Sequence, residues 1–371
     1  MNGKFLCAYL NKLSSMARNF QDSGQLSAVC NRGYYMIEHN VIEERTIIQK
    51  SLAQKSLVWG PVICGLLLLS FLAIPRVAWP DMVSFEPPGK LIEVNGRNMH
   101  INCVGNKSPT IILDSGTGGF SLEWKDIQHS LSQYVRVCAY DRAGYGWSDM
   151  GPLPRTTKRI AYELHTLLQN AGIHGPFIIV GHSFGGYTAQ YFARNFDSEI
   201  AGIVLIDSSH DEQVYRLPEN GKDVVRRSLH QDRSNMVMKA VLHEHYPKDE
   251  AAVAKQLMAR WSAMLTWREE MANYALSARE LRDLHDGSTL EIPIVVLTHG
   301  KRVWPDTPYG DAMEEAWTEL QDELSCLSDH STHIIAENSG HSIHLDEPEL
   351  VVDAIHDVLS SVEKELDEQG G

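Results

Sequence analysis

One segment of the chain carries a residue pattern suited to nucleophilic catalysis. Gly181-His182-Ser183-Phe184-Gly185 follows the apolar run Phe177-Ile178-Ile179-Val180 and precedes Tyr187, Ala189, Tyr191 and Phe192, which recur at helical spacing. A serine on a sharp strand-to-helix turn needs neighbours without side chains, so that the backbone can bend and the helix can pack on the strand. Such a turn pushes the Ser183 hydroxyl out at the carboxyl end of a sheet. Gly-x-Ser-x-Gly alone is also compatible with an ordinary turn, and the strand and helix on either side favour a nucleophile. A hydroxyl attacks well only when a base takes its proton. Ser339-Gly340-His341, directly after Ile334-Ile335-Ala336, supplies an imidazole after the last apolar run. With 17 histidines in the chain, a surface role is the competing reading for any one of them, and position favours His341 over His344. His182 is expected to face away from Ser183 and to act in packing.

Elements of defined type must position these groups. Thr110 to Leu113, Val135 to Tyr140, Phe177 to Val180, Gly202 to Ile206, Ile292 to Leu297 and His333 to Ala336 are brief and almost wholly apolar. Such runs suit strands buried on both faces. Helical patterns alternate with them, as in Ile160, Leu164, Leu167 and Leu168, closing at Gly172. The alternation predicts an α/β architecture, a mostly parallel central sheet with helices on both faces. Leu91 to Val94, Asn95-Gly96 and Met99 to Val104 read as a leading hairpin. Between Ser208 and about Leu290 there is no strand candidate, which predicts a helical insertion at about 208–290. Its Met236, Met238, Met258, Trp261, Met264, Trp267 and Met271 either line an apolar pocket or pack the insertion onto the sheet.

From about Lys90 to Val362 the chain resembles the α/β-hydrolase superfamily. Four segments carry the likeness in order: Leu113 to Gly119 resembles its oxyanion loop, Tyr140 to Ser148 its Asp-Arg-x-Gly-x-Gly-x-Ser segment, Gly181 to Gly185 its nucleophile elbow, and Ser339-Gly340-His341 its histidine loop. The resemblance implies that the insertion is a cap. It also implies that the backbone amides of Thr117 and Phe184 form an oxyanion hole. Asp114-Ser115-Gly116 stands where many members have His-Gly, and the Asp141 to Ser148 segment is expected to hold loops. Two positions compete for the acid. Asp306 follows Thr298 to Pro305 on the loop where most members carry it, whereas Asp207 ends the run Ile203 to Ile206, as in a second family arrangement. Asp207 is slightly favoured, its alternative being a turn or helix cap. His341 to Asp346 also spells the His-x-x-x-x-Asp of some acyltransferase members, although Asp346 is explained by a helix start at Pro348. The implied activity is serine-dependent cleavage of carboxylic esters, or of amides, with no metal or cofactor, on a small or lipid-like substrate. An acyltransferase or a cofactor-free perhydrolase would use the same residues, and a non-catalytic interaction protein could keep the same fold.

Charge divides the chain. Its formal balance is −15, of which residues 1–80 hold +4, from eight basic and four acidic side chains, and the remainder −19. Overall acidity disfavours nucleic-acid binding, and 43% hydrophobic residues exclude a disordered chain. Lys55 and Arg76 bracket 20 uncharged residues, enough to cross about 30 Å of hydrocarbon, with Trp59 and Trp79 near the ends. We therefore expect a tail at 1–55, a single transmembrane helix at 56–78, a linker through Pro87-Pro88, and a domain at 90–362. Arg45, Lys50 and Lys55 before the span orient the domain to the non-cytoplasmic side. Cys103, Cys138 and Cys326 show no paired spacing, and the Asn106-Lys107-Ser108 sequon is followed by Pro109.

Overall fold

Eight strands build one sheet in the order β1-β2-β4-β3-β5-β6-β7-β8. The computed structural model describes residues 85–218, 248–285 and 287–370. β1 (Lys90–Glu93) and β2 (Asn98–Val104) form the expected hairpin. Asn95 and Gly96 both have positive φ, at 52° and 83°, and Val94 and Arg97 exchange backbone hydrogen bonds of 2.7 and 3.3 Å. That is the mirror-image turn whose twist matches a strand pair. β3 (Thr110–Asp114), β4 (Arg136–Tyr140), β5 (Phe177–His182), β6 (Ile200–Ile206), β7 (Ile294–His299) and β8 (Ser331–Ala336) are parallel, and β2 joins β4 antiparallel.

Apolar residues on both sides of each central strand bury two cores. Phe177 and Ile179 face one, with Leu164 of α2 (Thr157–Asn170) and Phe192 of α3 (Phe184–Asn195). Ile178 and Val180 face the other, with Ile127 of α1 (Lys125–Leu131) and Ile355 of the C-terminal helix. β8 departs from expectation. It is an edge strand, and Ile335 is 42% exposed, with no further strand beside it among the described residues.

Between β6 and β7 the described residues contain no strand. They form α4 (Gln213–Arg216), α5 (Lys248–Met258), α6 (Trp261–Ala272) and α7 (Tyr274–Arg282). Met258 and Trp267 pack with Phe120 and Tyr145, whereas Trp261 is 68% exposed. After β7 come α8 (Pro308–Leu324), β8, α9 (Ile343–Asp346) and α10 (Pro348–Gly370).

The structure corrects the reading of the cysteines. Cys103 and Cys138 are directly opposite in the β2–β4 register and form a disulfide. Their sequence separation of 35 hides this, because β3 intervenes in the chain but not between the paired strands. The tail at 1–55, the span at 56–78, most of the linker, and Met236 and Met238 lie outside the described residues. Among the described residues no helix is long and apolar enough to cross a membrane.

Candidate active site

Ser183 is the single residue between β5 and α3, and its φ of 52° and ψ of −117° lie where an L-residue is strained. Such a conformation costs about 1–3 kcal/mol and persists only when its surroundings enforce it. They do so here. The Ser183 N–H donates to the Ile206 carbonyl (3.0 Å), and the Ser183 carbonyl accepts from Gly186 (3.0 Å) and Ser209 (2.9 Å). A Cβ on Gly181 would lie 2.5 Å from the Gly185 carbonyl oxygen, and one on Gly185 would strike the carbonyls of Asp114 and Ser115. The glycines thus let elbow, helix and β3 loop approach backbone to backbone.

His341 Nε2 lies 3.1 Å from Ser183 Oγ, and its Nδ1 lies 2.5 Å from Asp207 Oδ2. The structure therefore brings Ser183, His341 and Asp207 into one line of hydrogen bonds. Asp306, the rival acid, is exposed in the turn before α8. Asp207 follows β6, and its φ of 42° makes it, with Asn95 and Ser183, one of three described non-glycine residues with positive φ. Its amide donates to the Leu297 carbonyl at 2.7 Å, which pins it to β7. The carboxylate is fully buried, and burial alone would raise its pKa. Hydrogen bonds from His299 and His341, with the charges of both rings, outweigh burial and hold it well below the usual carboxylate range. The His341 side chain remains 39% exposed, so the ring can be reached from outside.

The histidine loop is braced from both ends. Asp346 accepts from the Gly340 amide at 2.9 Å, and Glu347 accepts from the Ser339 hydroxyl at 2.6 Å. Asp346 is therefore a loop brace as well as a residue near the start of α10. His182 does more than pack, because its Nε2 donates to the His341 carbonyl at 2.9 Å. Burial, then repulsion from His344 and His341, pushes the His182 pKa well below its ordinary value, which keeps this supporting ring neutral.

Thr117 and Phe184 flank the serine. Phe184 opens α3, where first-turn amides lack helical partners. Thr117, half-buried, follows Gly116, and a Cβ there would lie 3.1 Å from the Ser183 Cβ. Arg142 holds this loop: its guanidinium donates to Asp114 (2.8 Å), to the Gly116 carbonyl (2.8 Å) and to the Ser115 carbonyl. Its other edge reaches Glu270 of α6 at 2.9 and 3.2 Å, and Tyr145 donates to the same carboxylate at 2.8 Å. Asp114, where many family members carry His-Gly, is thus an anchor for Arg142. Asp141 accepts from the amides of Ser121 and Trp147, both at 2.8 Å, which is loop-holding work.

Sequence reading missed His299, Trp317, Glu314 and Glu270. His299 ends β7, where a carboxylate was sought. Its Nδ1 lies 2.8 and 2.9 Å from the two Asp207 oxygens, and its Nε2 lies 3.0 Å from Glu314. Trp317 Nε1 also donates to Asp207, at 2.9 Å. Adjacent parallel strands put their carboxyl ends side by side, so Asp207 and His299 at the ends of β6 and β7 were a findable pair. Among the described residues no cluster of three or more His, Cys, Asp or Glu side chains is arranged to hold a metal ion.

Comparison with known proteins adds a family. Residues 111–354 match the sequence profile described as the alpha/beta hydrolase family. The chain is 27% identical to the uncharacterized protein YqjL of Bacillus subtilis over 256 residues, 68% of this chain and 85% of that one. It is 34% identical over 133 residues to an uncharacterized vacuolar membrane protein of Saccharomyces cerevisiae, but that match covers only 31% of this chain and 20% of the relative. A thermophilic esterase from Thermogutta terrifontis superposes with a TM-score of 0.57 at 21% identity, covering 74% of this chain and 98% of the esterase. At that identity the likeness speaks to fold.

Proposed function

The chain belongs to the alpha/beta hydrolase family, and on that premise we propose that it is a membrane-anchored serine hydrolase that cleaves carboxylic esters through an acyl-enzyme. The observation that carries this reading is the continuous Ser183–His341–Asp207 contact, 3.1 and 2.5 Å. Ser183 Oγ attacks the ester carbonyl as His341 Nε2 takes its proton. Asp207 keeps the remaining ring proton on Nδ1 and stabilises the imidazolium that forms. The Thr117 and Phe184 amides receive the negative charge on the tetrahedral oxygen. His341 then protonates the leaving alcohol. Water, deprotonated by the same nitrogen, attacks the acyl-serine and releases the acid. A serine at the elbow favours acyl chemistry over the alkyl-enzyme ester of epoxide hydrolases, which requires a carboxylate nucleophile.

Anchoring rests on the 20 uncharged residues between Lys55 and Arg76. The membrane protein among its relatives adds support. The Cys103–Cys138 disulfide fits a domain on the oxidising, non-cytoplasmic side. Hydrolysis of p-nitrophenyl esters of graded acyl length tests the activity. Turnover that vanishes in Ser183→Ala is the expected result, and turnover that survives in that variant overturns the proposal. Protease added outside intact cells tests the orientation, and protection of the domain would contradict it.

A further inference from the structure

His299 has no hydrogen bond to Ser183 or His341, yet it shares the Asp207 carboxylate with His341. Both ring nitrogens meet carboxylates: Nδ1 faces Asp207 at 2.8 and 2.9 Å, and Nε2 faces Glu314 at 3.0 Å. An ionised carboxylate only accepts hydrogen bonds, so both nitrogens must donate, and a ring donating from both is the imidazolium. The arrangement runs from a sealed interior to the surface, with side-chain exposures of 0% at Asp207, 4% at His299 and 21% at Glu314.

Resting on the assignment of Ser183, His341 and Asp207 above, we propose that His299 is a positioning residue, held as a cation near neutrality between Asp207 and Glu314, that limits how readily His341 takes up a proton. A lone buried Asp207 would draw a proton strongly onto His341 and leave less free base to activate Ser183 near neutrality. A second cation on the same carboxylate divides that attraction and repels further positive charge on His341. Burial disfavours a charged His299, but hydrogen bonds and charge from Asp207 and Glu314 outweigh it and raise its pKa above the ordinary value. The other groups at this end of the sheet do not substitute for it. Lys301 and Glu337 are exposed, Arg302 is engaged by Asp311 at 2.6 Å, and His333 bonds Thr298 and Asp322. Trp304 and Trp317 flank the ring without adding charge.

Glu314→Gln separates charge from geometry. Glutamine keeps an acceptor for the Val303 and Trp304 amides, which bond Glu314 at 2.7 and 2.9 Å. Its amide can donate to Nε2, so His299 stays in place as a neutral ring. The rate of fluorophosphonate reaction of the 371-residue chain in detergent is measured from about pH 5 to 9, with Glu315→Gln, next to it and exposed, as the control. The expected result is an acid limb displaced upward by about one pH unit in Glu314→Gln and unmoved in Glu315→Gln. Coincident limbs in wild type and Glu314→Gln, or equal displacement in Glu315→Gln, overturn the proposal. Histidine 15N shifts of the wild-type chain read the ring directly: two protonated nitrogens at pH 7 support it, and a neutral His299 overturns it. Should the wild type not react with the probe, the serine-hydrolase reading falls and the 15N shifts alone decide the state of His299.

Discussion

Arg142 and His299 are both cations set between two carboxylates beside the same serine, and they differ in whether they can lose charge. Arg142 joins Asp114 to Glu270, and all three side chains are at most 1% exposed. Hydrogen bonds and charge from Glu270 and Asp114 outweigh the cost of burying Arg142 and raise its pKa further, so it never titrates near neutrality. His299 joins Asp207 to Glu314, and Glu314 reaches solvent. The difference follows the chemistry each side serves. In the proposed mechanism the oxyanion donors must stay still, which fits a loop held by the fixed charge of Arg142. In the same mechanism the acid side faces a ring that gains and loses a proton in every cycle, which fits a partner that can respond.

Removing the group that both sides serve has the largest effect. Ser183→Ala should lower kcat by about 10^5–10^6, read by p-nitrophenyl ester turnover. Breaking the acid side comes next. Asp207→Asn should cost about 10^4 in kcat through the wrong His341 tautomer, while Asp306→Asn leaves turnover at the wild-type level. The reverse outcome would move the acid to Asp306. Breaking the oxyanion side should lose stability as well as rate. Arg142→Met leaves Asp114 and Glu270 buried without their cation, at a cost of about 3–5 kcal/mol in a denaturant melt. Misplacing an oxyanion donor should lower kcat by about 10^2–10^3.

The smallest effect sharpens the comparison through pH. His299 has a raised folded-state pKa, so its stabilisation is fully present below its unfolded value of about 6.5 and is lost as pH rises through the folded one. The gap in Tm between wild type and Glu314→Gln should therefore narrow as pH rises from neutral towards 9. The gap between wild type and Arg142→Met should hold or widen over that window, because Asp114 and Glu270 left without their cation cost more as they ionise, and a parallel narrowing would erase the distinction between the two sides.

Local geometry was legible in the sequence, and lateral contacts were not. Ser183 could be found because its strand, glycines and helix are contiguous. His341 could be found because it follows the last strand. The choice between Asp207 and Asp306 turns on which strand ends lie within reach of His341, which spacing alone does not encode. The same holds for His299 beside Asp207, for Glu270 reaching Arg142 from 128 residues away, and for Cys103 facing Cys138 across the β2–β4 pair. In each case an ordering of strands or a packing of the inserted helices makes the contact. Where two parallel strands are adjacent, chemistry-bearing residues that end both of them merit reading as one site.

The central claim, that Ser183 is a nucleophile activated by His341 and Asp207, is tested most directly by mass spectrometry of the folded chain after reaction with a fluorophosphonate. The account predicts a single adduct on Ser183, absent in Ser183→Ala and formed far more slowly in Asp207→Asn. No adduct on a folded chain, or an adduct on another serine that persists in Ser183→Ala, would contradict it.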